Sequence, residues 1–203
     1  MNQHLVLDVF FGAEAHIDVI SQSDLGLNPT GHAHTPRPRE IVKALTESDI
    51  RSSIVNATGG EIERMPLPGL HEVLWDQREY LGWRDHKAPL RGYLVHWDGD
   101  RPVGIMLRTA GVPLRAGISA LCSLCHTAQP SNQVSLFSAP RAGEAGRNGN
   151  SIGTYICSDL ACSHIIRVVP HGDPDGYEPL IERRALGLLE RVARFTASVM
   201  KTA

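Results

Sequence analysis

Leu121-Cys122-Ser123-Leu124-Cys125-His126, answered downstream by Ile156-Cys157-Ser158-Asp159-Leu160-Ala161-Cys162-Ser163, holds all four cysteines of the chain. The spacing is Cys-x2-Cys followed by Cys-x4-Cys. Four thiolates complete a tetrahedral Zn²⁺ shell and leave no position open for water, so the expected metal is structural and not catalytic. The rival readings are a redox dithiol and four unrelated thiols. Between the pairs, residues 134–137 read as a strand, 141–150 as a glycine-rich loop and 152–156 as a second strand. Ser158 or Asp159 can cap a helix running to about Arg167, which puts Cys157 just before that helix and Cys162 in its first turns. A knuckle, a hairpin and a helix around one metal make a treble clef. A DNA-reading finger would instead end its ligand set in two histidines.

The rest of the chain bounds the function. With 203 residues, 42% of them hydrophobic, there is enough to bury one core, or one core and a small metal-stabilised module. Twenty basic against 22 acidic residues announce neither a nucleic-acid binder nor an acidic tail. No apolar run approaches the ~20 residues of a membrane span. Residues 5–11 are interrupted by Asp8 and lack a basic lead-in, a poor secretory signal. A cytoplasmic protein is expected, and there cysteine pairs are more often ligands than disulfides.

Residues 1–38 end in the breaker-rich His32-Ala33-His34-Thr35-Pro36-Arg37-Pro38 and read as an extension and linker, with the two histidines solvated. A helix begins near Thr46, where Thr46-Glu47-Ser48-Asp49 has the form of a capping box, and Ile50, Ile54 and Val55 share a face. Gly59-Gly60 is expected to interrupt it, with a short resumption over 61–65. Residues 93–97 and 103–107 flank Asp98-Gly99-Asp100 as a hairpin. Alternation puts His96 opposite Val95 and Trp97, hence toward solvent. Trp83 reads as core, with Arg84 pairing a nearby acid. After a break over 170–179, Ile181, Ala185, Leu188, Val192, Phe195 and Val199 recur at helical steps. The expectation is a helix packing that stripe on the body.

The stretch 121–125, with Phe137-Ser138-Ala139-Pro140-Arg141-Ala142-Gly143 and the run from Gly146 to Ser163, resembles the C-terminal treble-clef zinc finger of the elongation factor G-binding proteins. These are the FusB-type fusidic-acid-resistance group, carriers of the FBP domain. Ile54-Val55-Asn56, Gly60-Glu61 and Gly82-Trp83-Arg84-Asp85 resemble short members of it, so the likeness runs over about 45–168. It implies that Cys122, Cys125, Cys157 and Cys162 carry zinc. It further implies that the protein binds elongation factor G, meets the ribosome indirectly and promotes the factor's release without making or breaking a bond. The partner-facing surface would include the glycine-rich loop and the strand leading to Cys157.

The expected fold is therefore α+β: a small hairpin-and-helix part (39–110) joined to a treble-clef zinc finger (111–169). An N-terminal extension (1–38) and a loop with a C-terminal amphipathic helix (170–203) flank them. Arg141, Arg147 and Tyr155 are the candidate partner contacts, because arginine and tyrosine dominate interface hot spots. His126 and His164 lie beside the cysteines, but four thiolates already fill the shell. Gly143, Gly146, Gly149 and Gly153 are expected in turns with positive φ. No Gly-Lys-Ser/Thr follows them, so they form no phosphate loop. Neither a nucleophile elbow nor HExxH is present, and no enzyme is expected. Nucleic-acid binding through the finger is the alternative. Between Arg108 and Arg167, five arginines face only Glu144 and Asp159. The filled metal site would subtract about two charges from that surplus.

Overall fold

In the computed structural model, the hairpin read at 93–107 is the spine of a six-stranded sheet. The structure describes residues 17–19 (backbone), 43–112, 114–115, 117–168 and 177–201. His32, His34 and the prolines of the 1–38 linker lie outside them, as do residues 170–176 of the later break. The strands are β1 (Ile17–Val19), β2 (Leu81–Arg84), β3 (Arg91–Asp98), β4 (Arg101–Thr109), β5 (Ser119–Leu121), β6 (Ala128–Pro130), β7 (Val134–Pro140) and β8 (Ser151–Cys157). The large sheet runs β1-β8-β7-β4-β3-β2, and β5 pairs with β6 alone. Register Asp98↔Arg101 leaves Gly99-Asp100 as a two-residue turn, with Gly99 at φ +60°. Positive φ there suits the twist of a tight hairpin.

Five α-helices, α1 (Glu47–Ser53), α2 (Gly59–Glu63), α3 (Gly143–Arg147), α4 (Cys162–Ile165) and α5 (Tyr177–Met200), and three short 3-10 helices (Leu70–Glu72, Trp75–Gln77 and Ser131–Gln133) complete the described chain. Thr46 caps α1 as expected: its hydroxyl accepts from Asp49 N–H, and Asp49 Oδ2 accepts from Thr46 N–H. Gly59-Gly60, expected to break this helix, instead opens α2. Thr58 and Glu61 form a second capping box there, and α1 has already ended at Ile54. Side-chain caps at Thr58 thus outweigh the poor helix propensity of the glycines. Pro179, read as the end of the break, instead lies in the first turn of α5, where its missing N–H is one the helix leaves unpaired anyway.

Both faces of the sheet are covered. Tyr93, Val95, Met106, Leu81 and Trp83 pack with Ile50, Ile54 and Met65 beneath α1. Leu94, Ile105, Leu107, Phe137 and Ile156 pack with Leu188, Val192, Phe195 and Val199 of α5. The helical stripe read at the C-terminus therefore does bind the body. Its consequence for His96 was not anticipated. Alternation places His96 on the other face from Val95, yet that face carries α5, so the imidazole is buried and its Nε2 lies 2.8 Å from Thr196 Oγ1. Arg84 also departs from expectation. It donates to the carbonyls of Ser158 and Pro89 and stacks over Phe137, with no acid as partner among the described residues.

β1, within the stretch read as an extension, pairs parallel with β8, Ile17 opposite Ser151. Residues 141–150, read as a loop, contain the single turn of α3. Gly143 (φ +69°) and Gly149 (φ +89°) adopt the expected conformation. Gly146 is required for another reason, since a Cβ there would lie 1.8 Å from Arg141 O. The sheet is continuous through residue 110: β4 pairs with β7 at Arg108↔Ser138 and Thr109↔Phe137. Where these strands are not paired, the Asn56 side chain bridges them. It donates to Met106 O (3.0 Å) and Pro140 O (2.9 Å) and accepts from Met106 N–H (2.7 Å).

Candidate metal centre

Two backbone turns carry the thiols. Between β5 and β6, His126 N–H donates to Cys122 O (2.9 Å) and Cys122 N–H to Thr127 O (3.2 Å). Cys125 N–H reaches toward Cys122 Sγ at 3.5 Å. In the second turn Leu160 N–H donates to Cys157 O (2.9 Å), and Asp159 Oδ1 accepts from Ala161 N–H (2.9 Å). Asp159 thus stabilises the turn and does not cap a helix. α4 starts only at Cys162, with no side-chain cap. His126 (φ +54°) and Leu160 (φ +60°) both sit in the left-handed region, rarely occupied without glycine. Each lies in the turn that brings its pair of thiols together.

The sheet holds these turns in place. Ser123 N–H donates to Tyr155 O (2.8 Å) and Ser158 N–H to Gln133 O (2.9 Å). Leu160 lies against the sheet at Gly82 and Gly92, where a Cβ would meet Leu160 O at 2.5 Å and Leu160 Cδ1 at 2.6 Å. Tyr80 Oη donates to the same carbonyl at 2.8 Å. A bidentate pair from Arg167 to Glu79 (2.7 and 3.0 Å), 19% and 5% exposed, ties the end of α4 to the segment before β2.

Cys122, Cys125, Cys157 and Cys162 converge as a result, all buried, with their Sγ atoms within 4.8 Å of one another. Cys122 and Cys162 are 3.7 Å apart at sulfur, Cys125 and Cys157 3.6 Å. A Zn–S bond of about 2.3 Å implies a tetrahedron edge of about 3.8 Å. The donor set and its spacing therefore fit one zinc ion. Crowding alone makes the thiols unequal. Hydrogen bonds from Cys122, then from Cys157 and Cys162, hold Cys125 well below the ordinary thiol range, while burial pushes Cys162 well above it. A dication stabilises the thiolate at all four positions at once, which is why metal binding and folding are coupled in such sites.

Two residues around the sulfurs were not legible in the sequence. Gln129 Nε2 donates to Cys157 Sγ at 3.1 Å and lies 3.9 Å from Cys125 Sγ. Arg191, on α5, donates through Nε to the carbonyl of Leu124, between the first two ligands. Burial lowers the Arg191 pKa and the charges of Cys125 and Cys122 oppose that shift. Cys125, His126, Thr127 and Ala128 form one wall of a cleft whose other wall is Arg183, Arg184, Gly187 and Arg191. In it, burial first and Arg191 second keep His126 below the ordinary imidazole pKa. Neither His126 nor His164 belongs to the sulfur cluster, and His164 is exposed on α4.

The three candidate partner contacts are dispersed along the β7–β8 hairpin. Tyr155 is half-buried opposite Leu136, two residues from Cys157. Arg141 follows the far end of β7, some 17 Å away at strand rise. Its Nη1 donates to Ser198 O at 2.7 Å, so it fastens α5. Arg147 is exposed at the end of α3.

The family description FBP C-terminal treble-clef zinc-finger matches residues 49–199, which takes in most of α1, strands β2 to β8, the four cysteines and nearly all of α5. The likeness read from the sequence stopped near 168; the family's extent includes the C-terminal helix as well. No curated protein matches the chain. The solved structure of the fusidic acid resistance protein FusC aligns at 21% identity over 53% of this chain and 51% of its own, with a TM-score of 0.39. The chain thus spans about half the length of that structure. No helix among the described residues is long and apolar enough to cross a membrane. With a match over most of its length and the four thiols of a zinc site in place, the chain belongs to the FBP C-terminal treble-clef zinc-finger family.

Proposed function

We propose that this protein is a zinc-dependent binding protein of the cytoplasm whose partner is elongation factor G, and that it acts by easing the factor's release from the ribosome. The observation that carries this reading is the family match over 49–199 with all four thiols present. A closed four-thiolate shell offers no coordination position to a substrate, so its contribution is shape and not chemistry. The protein is accordingly a binder and not an enzyme. The partner-facing surface is the β7–β8 hairpin with α3, where Tyr155 and Arg147 are available for contact. The test is titration calorimetry of the full chain against the cognate elongation factor G, before and after chelation and again with zinc restored. Binding that disappears with the metal and returns with it is expected. Absence of binding to the factor in the zinc-loaded state would end the reading.

Binding to ribosomal RNA is favoured by one feature, the cleft with Arg183, Arg184 and Arg191. Two of these arginines already spend donors on carbonyls, Arg184 on Ile166 and Arg191 on Leu124. A phosphate-binding surface loses affinity steeply with salt, in proportion to its phosphate contacts. Filter binding across a salt series therefore separates this reading from protein recognition.

A further inference from the structure

We propose that Arg191 is the charge partner of the filled metal centre, so that α5 completes the zinc site from outside and its docking is coupled to zinc retention. Four thiolates around Zn²⁺ carry a net charge of about −2. The cluster is buried beneath the first turn, where an uncompensated charge is costly. Among the arginines of the cleft, Arg191 is the one that donates to the first turn. It is half-buried, it lines the same cleft as Cys125 from the opposite wall, and its Nε is fixed on the Leu124 carbonyl between Cys122 and Cys125. With Nε so engaged, the two Nη groups lie against Gly187, on the same cleft wall.

Gly187 supplies an independent sign that this placement is built in. A glycine in a helix interior is less favourable than any residue except proline, and α5 has one midway along its length. A Cβ there would stand 2.9 Å from Arg191 Nη1 and 3.3 Å from Nη2. The missing side chain lets the guanidinium lie back across the preceding turn of its own helix. Arg191 thereby serves as a positioning residue for the metal site. The filled centre attracts the guanidinium that lines the cleft beside it, so binding the metal favours the docked turn of α5. Linkage makes the effect reciprocal, so a docked α5 tightens zinc binding.

The inference concerns zinc and stands apart from the identity of the partner. Its test is zinc affinity measured by competition with a chromophoric chelator, on the full chain and on R191Q, R191K and G187A. R191Q keeps a hydrogen-bond donor but loses the charge, and groups just outside a metal's ligands are worth about 10–100-fold in affinity. The expectation is a roughly tenfold weaker zinc site in R191Q and less than threefold in R191K. The thiolate-to-metal charge-transfer band of the Co²⁺ forms should stay unchanged, showing the four ligands intact. G187A introduces a better helix former but displaces the guanidinium, so it should weaken zinc several-fold while leaving α5 helical; it carries the test if R191Q does not fold. In the wild type, amide exchange in α5 should slow on zinc addition, and in R191Q much less. Wild-type zinc affinity in R191Q or G187A, or equal losses in R191Q and R191K, would overturn the proposal.

Discussion

The two faces of one sheet are stabilised by different means. Beneath α1, Ile50, Ile54, Met65, Trp83, Tyr93 and Met106 bury apolar area, and Trp83 stacks on Tyr93 with centroids 5.0 Å apart. On the α5 face the sheet also contacts two short turns, a three-residue strand pair and a four-residue helix, none of which has a core of its own. Besides their hydrogen bonds to neighbouring elements, what holds those turns to one another is the sulfur cluster. A small module that cannot bury enough apolar surface needs a covalent or metal staple, and here the staple is shared with a larger sheet. The metal's structural effect should therefore be graded by position, deepest in the turns and least beneath α1.

The largest effect should come from Cys162→Ser, which removes a ligand that also begins α4. Zinc stoichiometry should fall from one toward zero, and amide protection should be lost over 119–133 and 157–168. Loss of stability exceeding about 4 kcal/mol is expected, since structural zinc contributes about 10–16 kcal/mol to small modules. Protection in β3 and β4 should persist. If β3 and β4 exchange as fast as the turns, the sheet and the metal form one cooperative unit and the comparison fails.

Ile50→Ala tests the opposite face. Ile50 is fully buried, and such truncations cost about 2–5 kcal/mol through lost transfer energy and the remaining cavity. Chemical denaturation should show that loss with zinc bound, while zinc affinity in the folded protein stays unchanged. A parallel fall in zinc affinity would mean that the two faces are not separable.

Sequence reasoning succeeded where the determinants are local. The Thr46 capping box, the Gly99 turn and the Cys-x2-Cys and Cys-x4-Cys turns are each set by a handful of neighbouring residues. It failed where a distant element decides. His96 alternates as read, but α5, a hundred residues away, covers its face. Gln129 is one ordinary polar residue among many until β6 turns it toward Cys157. Arg191 sits on what the sequence presents as the charged side of an amphipathic helix, and only the placement of α5 beside the first turn gives it a role. Gly59-Gly60 misled for a different reason: a cap from Thr58 can start a helix on glycines that propensity alone would use to end one.

Asn56→Ala probes the seam between the faces and should have a smaller effect. Its amide links α1's exit to Met106 and Pro140, in place of ladder bonds between β4 and β7. Removal strands one N–H and two carbonyls in a half-buried setting, a cost of about 1–3 kcal/mol. Exchange at Met106 N–H should rise more than at Leu94 or Ile105, which the ladder still protects. Uniform loss across the sheet would show that the bridge supports the whole sheet and not the seam alone, and no loss would show that it is redundant.

The smallest effect is the dependence of α5 docking on His96, and its sign can be worked out. Burial keeps the imidazole pKa below its ordinary value of 6.5, against weaker upward pulls from the Trp97 carbonyl and Asp98. The unfolded chain therefore binds the proton more readily than the folded one, so stability rises with pH across this window. The contribution is fully present above about pH 6.5 and is lost as pH falls through the folded value. In the neutral ring Nδ1–H donates to Trp97 O at 3.0 Å and Nε2 accepts from Thr196 Oγ1. On protonation the hydroxyl can turn its own proton to Ala193 O, 3.0 Å away, and accept from the ring instead. Only the burial of charge then opposes the proton, which is why the effect should be small. Denaturant midpoints of the wild type and His96→Gln at pH 7.5 and 5.8, with zinc saturating at both, isolate it from protonation of the thiolates. The wild type should lose more stability than the variant on acidification; equal losses would place the acid sensitivity at the metal centre and not under α5.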